Sequence, residues 1–192
     1  MIHFPRPWLD WLKETSFRLN HLPPNFILEK KASGVARISF DVELLEFKIH
    51  TSLFSVRKIE ESTGVSLGLK NQIFDLPFWP ASAQRIHQIS RTPNPPLEQW
   101  YDLNTAQNKS VSSKVIIDVF IHARICNICW DKELGLEREQ SGFRVASDYT
   151  MKKYIFFVSF KVLDEILNQA IRVIEPRVLK RELHAKKLSE AS

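Results

Sequence analysis

Asp118 and His122 stand four residues apart in the strongly apolar stretch 115–130. On a helix that spacing stacks the two side chains one turn apart on the same face. A carboxylate within hydrogen-bond reach fixes the tautomer of an imidazole and favours its protonated form, which is how a histidine becomes a general acid or base near neutral pH. In apolar surroundings both groups need partners, so the pair is there either for proton transfer or as a satisfied structural lock. Arg57 is the natural third member. It is a permanent cation that would hold a phosphodiester while His122 moves protons, the competing reading being an ion pair with Glu61 or Asp118.

A second group of chemistry-bearing residues closes the chain. Arg177, Lys180, Arg181, Lys186 and Lys187 crowd one short segment. Cationic side chains so placed grip nucleic-acid phosphates by releasing condensed counterions, although a solvated helix end has the same composition. Cys126 and Cys129 have the Cys-x-x-Cys spacing, with His122 upstream, but a tetrahedral zinc needs four ligands and the chain has no other cysteine. They read as small apolar residues, and no metal or cofactor is expected. Five glycines in the whole chain, with no Gly-rich phosphate loop, argue against nucleotide-driven chemistry.

The elements that must position these residues read as helices. At 192 residues, 44% hydrophobic and 26% charged, the chain is sized and composed for one globular domain. Pro7 opens a first helix whose stripe of Trp8, Leu12, Leu19 and Leu22 stops at Pro23-Pro24. Ile38, Val42, Leu45, Ile49, Leu53 and Val56 draw one stripe along a helix over 36–61. Phe40, Leu44, Phe47 and Phe54 form a second stripe, so that helix is expected to lie sandwiched in the core. Glu46, His50, Arg57 and Glu61 would make a polar seam between the two stripes.

Residues 63–109 hold Pro77, Pro80, Pro93, Pro95 and Pro96 and read as a long connection with a short helix near 81–89. Residues 110–130 read as a buried central helix capped by Ser110 or Ser112. Alternation of Phe143 and Val145 before Ser147-Asp148, and of Tyr154, Phe156 and Val158 after it, predicts a β-hairpin. Leu163, Ile166, Leu167, Ala170 and Ile174 then predict a last core helix, ended by Pro176 or leading there into the basic tail 176–192. The helical core is thus 8–62 with 110–175. The N-terminus lacks a secretory pattern, no apolar run approaches the roughly 20 residues of a membrane span, and two cysteines suit a reducing compartment, so a cytoplasmic protein is expected.

The segments Phe54-Ser-Val-Arg57-Lys58, Ile117-Asp118-Val-Phe-Ile-His122 and Gly142 to Asp148 followed by Lys153-Tyr-Ile-Phe-Phe resemble a bacterial family with an Arg-Lys helix, a polar-x-x-x-His helix and a Ser-Asp hairpin. Its His-bearing helix is similar to the core of HEPN domains. That resemblance implies a mainly α, HEPN-like helical bundle with a β-hairpin inserted before the last core helix, commonly dimeric. It also implies a defence or toxin-antitoxin role with metal-independent RNase activity through an Arg-x(4–6)-His motif. Ile117 and Asp118 stand where that motif has arginine and asparagine, so Arg57 would have to supply the cation from a neighbouring helix.

Two functional classes follow. One is an RNA-acting protein with His122, Asp118 and Arg57 as catalytic residues and the tail as an RNA grip. The other is a non-catalytic adaptor subunit of a larger assembly that docks a protein partner or a second copy of itself through Trp79, Trp100 and Tyr101; a DNA-binding accessory protein is a further alternative.

Overall fold

The computed structural model describes residues 6–21, 29–30, 36–37, 40–82, 97–129 and 141–190. The chain divides into two compact units, one of residues 1–67 with 167–192 and the other of residues 68–166.

The first unit is helical. Helix α1 (Arg6–Asn20) buries Leu9, Leu12 and Leu19, and α2 (Phe40–Thr63) buries Leu45, Ile49, Leu53, Val56 and Ile59, the recurrence of three and four that the stripe demanded. The buried Ser52 hydroxyl donates to Thr15 Oγ1 at 3.0 Å, which satisfies both groups between the two helices. Lys48, 5% exposed, lies 4.1 Å over the Trp11 ring and reaches Glu14 at 2.9 Å. The Glu14 carboxyl is held below its ordinary range by hydrogen bonds from Lys48 first and Arg18 second. Gly64, at φ +64, takes the left-handed position that ends α2 and that side chains resist. A short antiparallel ladder joins β1 (Glu29–Lys30) to β2 (Ala36–Arg37).

The expected sandwiching of α2 is corrected here. Phe47 is 59% and Phe54 48% exposed, so the second stripe does not pack as the first does. Helical spacing places residues on a common face, and only a partner element decides whether that face is covered.

The second unit overturns the expectation of a mainly α, HEPN-like bundle. It is a mixed α/β unit built on a five-stranded antiparallel sheet. The strands are β3 (Ile73–Pro80), β4 (Gln107–Ser112), β5 (Ala123–Cys129), β6 (Gly142–Ser147) and β7 (Tyr154–Ser159), in the order β4-β3-β7-β6-β5. Between them come α3 (Leu97–Trp100) and α4 (Ser113–Ile121). Helix α5 (Phe160–Glu190) starts at the end of β7 and gives its residues from Leu167 onward to the first unit. The predicted hairpin forms as β6–β7, with Phe143 opposite Val158 and Val145 opposite Phe156, but it lies inside the sheet and is not an insertion into helices.

The helix expected over 110–130 is in fact the end of β4, the nine-residue α4 and then β5. Ser112 caps α4, its hydroxyl accepting from the Val115 N–H at 3.4 Å. An apolar run rich in Ile and Val serves a buried strand as well as a buried helix, and pairing of 123–129 with β6 decides for the strand.

The Pro-rich connection is likewise partly sheet. A residue's single N–H faces one side of its strand, and Pro77 has a partner only in β4 and Pro80 only in β7, so each proline has a side on which no ladder hydrogen bond is lost. The short helix expected near 81–89 falls mainly on residues outside the described set, and Ala81 bridges to Tyr101 in extended pairing. Pro176 does not end the last helix. α5 runs through it to Glu190, and both Pro176 and Arg172, whose carbonyl loses its usual donor, are exposed, so water can serve that carbonyl.

The core of the second unit lies on both faces of the sheet. Phe143, fully buried, meets Phe120 of α4 edge-on at 5.8 Å and Phe160 at the start of α5 at 5.5 Å. Leu97, Trp100, Tyr101, Ile125, Ala146, Met151 and Ile155 cluster together, with Trp79 packed against them. The Tyr101 hydroxyl donates to the Met151 carbonyl at 2.7 Å, and burial raises its pKa.

Candidate functional site

His122 is the C-cap residue of α4. Its backbone N–H donates to Asp118 O at 3.1 Å, which closes the last turn, and its side chain is exposed. Asp118, one turn earlier, is half-buried. The two are therefore neighbours on one helical turn, but at the surface end of a short helix and not in the middle of a buried one. Arg57 belongs to the other compact unit, where its Nε donates to Glu61 at 2.6 Å. That contact and a second from Lys58 hold the Glu61 carboxyl below its usual range. The ion-pair reading of Arg57 is thus the one the structure draws.

A cation that sequence spacing passed over stands much closer to the histidine in the chain. On an uninterrupted helix Arg124 would point away from His122; because the helix ends at Ile121, Arg124 instead opens an edge strand. Its Nε donates to Asp148 Oδ1 at 2.6 Å, and the Asp148 N–H donates to the His122 carbonyl at 3.3 Å. Asp148 thus ties the turn after β6 to both residues. Nothing in the local sequence signals this, because the pairing spans 24 residues.

The partner-docking residues are mostly core. Trp100 is 5% and Tyr101 2% exposed, while Trp79 is half-buried with the Arg144 guanidinium 5.1 Å from its ring centre. Large aromatic rings here serve the sheet's own packing. Cys126 is half-buried and Cys129 buried on β5, three residues apart and so on opposite faces of a strand, and neither is in a disulfide. A surface cavity of about 510 Å³ opens at the end of β3, with Ser82, Glu98, Asp102 and Asn104 among its walls.

The basic tail is helix. From Leu179 to Glu190 every residue of α5 is exposed. At about 100° per residue, Arg177, Lys180, Arg181, His184 and Lys187 fall within an arc of roughly 120°. They form one stripe roughly 15 Å long at 1.5 Å per residue. Lys186 lies outside it and reaches Glu190 at 3.8 Å. The acidic residues occupy another side. Glu175 binds Lys13 and Glu182 binds Arg6 at 3.1 Å, so both are neutralised against α1. Sequence counting saw the excess of charge; the continuous helix sorts it by face.

Among the described residues no helix is long and apolar enough to cross a membrane. No protein-family model, curated protein or solved structure matches the chain.

Proposed function

We propose that the protein binds nucleic acid through its phosphate backbone, along the stripe Arg177, Lys180, Arg181, His184 and Lys187 of α5. The observation that carries this reading is the sorting of charge on that helix. Its acids Glu175 and Glu182 are turned to Lys13 and Arg6 respectively, leaving a cationic side on a segment exposed from Leu179 to Glu190. Such a face supplies affinity without base readout, through release of counterions.

Fluorescence anisotropy with labelled RNA and duplex DNA across a salt series tests it. Affinity should fall linearly on a log–log plot. Changing Lys180, Arg181 and Lys187 together to Glu should weaken binding at least 100-fold at low salt and flatten the slope by about 2 to 3. The reading is lost if wild type binds neither nucleic acid, or if the triple variant binds as wild type does.

A second reading, metal-independent cleavage of bound RNA, is favoured by one observation. His122 is exposed at the end of α4, with Arg124 two residues on and Asp148 bonded to both. In this scheme His122 takes the proton of the attacking 2′-hydroxyl and passes it to the 5′-oxygen as the P–O5′ bond breaks to leave a 2′,3′-cyclic phosphate, Asp118 orients His122 from the preceding turn, and Arg124, in place of Arg57, faces the phosphate charge. RNA should then be cut with EDTA present, and His122→Ala should lower the rate by 100-fold or more. RNA left intact by wild type removes this scheme and leaves a binding or adaptor protein.

A further inference from the structure

Tyr149 is 81% exposed, the highest exposure of any large hydrophobic side chain among the described residues. A tyrosine ring carries roughly 150–250 Å² of surface that normally finds cover. This one sits on a turn that is firmly built. The Thr150 and Met151 N–H groups donate to Ser147 O at 3.0 and 2.8 Å, and the Lys153 and Tyr154 N–H groups to Thr150 O at 2.7 and 2.8 Å. The Ser147 N–H donates to the buried Thr150 Oγ1 at 2.9 Å. The backbone therefore presents Tyr149 outward at little ordering cost. Exposed cations share this place: Lys152 and Lys153 on the turn itself, and Arg124 across the Asp148 ion pair. The acid on the turn, Asp148, is the partner of Arg124.

An aromatic ring held open on a rigid turn among cations is the arrangement that binds single-stranded nucleic acid, with a base stacked on the ring and phosphates met by lysine and arginine. We infer that the turn 148–153 is a single-strand stacking site, with Tyr149 as the base platform and Arg124, Lys152 and Lys153 as phosphate contacts. It rests on the nucleic-acid reading above but uses different residues and a different preference. The helix stripe takes any phosphate backbone, whereas this turn requires an unstacked base.

The test compares a labelled single-stranded oligouridylate with a duplex of the same length. Tyr149→Ala should bind the single strand roughly tenfold or more weakly, Tyr149→Phe should bind it as wild type does, and both should bind duplex unchanged. Because the side chain is exposed, both variants should melt with wild type. Three results overturn the inference: undiminished single-strand binding by Tyr149→Ala, equal losses on single strand and duplex, or failure of Tyr149→Phe to restore binding. The charge-reversed triple variant on α5 separates the two ideas. If it loses binding while Tyr149→Ala does not, the stripe stands and the stacking site falls. Wild type that binds no nucleic acid ends both.

Discussion

Replacing Gly142 with alanine should lower the stability of the sheet unit by about 3 kcal/mol or more, at the top of the range for overpacking. Gly142 pairs with Ser159 on one side and Cys129 on the other. A Cβ built there would lie 2.2 Å from the Val158 carbonyl oxygen and 2.6 Å from the Ser159 Cα. Both obstacles are backbone, so no side chain can swing aside, and the β6–β7 ladder itself must open. The backbone angle is not the reason, because positive φ among the glycines occurs at Gly64 and Gly68. Urea unfolding followed by circular dichroism measures the effect. A midpoint within error of wild type would show that β6 and β7 do not approach this closely.

The next residue should fail in the opposite sense. Phe143→Ala removes a fully buried ring that joins Phe120 and Phe160 in edge-to-face contact, and its expected cost is about 3–5 kcal/mol. Phe143→Leu keeps most of the volume and should cost well under half of that. Since β6 and β7 frame the turn that carries Tyr149, Phe143→Ala should also weaken single-strand binding, whereas Phe143→Leu should retain it. Equal stability of the Ala and Leu variants would mean that the ring fills no necessary space. The effects of changes at 142 and 143 should not add, because both act on one strand pair.

Much of the helical unit was legible from periodicity. Leu12 and Leu19 of the first stripe, Leu45, Ile49, Leu53 and Val56 of the second helix, and Leu163, Ile166, Leu167, Ala170 and Ile174 of α5 are buried as their spacing predicts, whereas Trp8 is only half-buried, with Leu9 buried beside it, and Phe47 and Phe54 are exposed. The β6–β7 hairpin was legible too, because its alternation flanks a turn of polar residues. Residues 110–130 misled for a physical reason: apolar in every sector, they carry no period that separates a buried strand from a buried helix. Pro77 and Pro80 argued against β3, yet each stands where the strand has a single neighbour.

At the candidate sites, Asp118 and His122 were correctly placed one turn apart, but their exposure followed from where α4 stops. Arg124 would point away from His122 on a helix, and its place on β5 is what brings it to Asp148. The cations of the tail were visible by composition, whereas His184 joined them only once α5 proved to run unbroken through Pro176.

The amino-acid sequence alone determined which segments have an apolar side to bury, where the hairpin turns, and how much positive charge the chain ends with, since those depend on residues within a turn or two of each other. Tertiary structure alone decided that 123–129 is a strand, that Asp148 meets Arg124 and His122, and that Glu175 and Glu182 of α5 face α1. Each of these is a contact between residues far apart in the chain. Local spacing gives no measure of the free energy such pairings gain when the chain closes on itself.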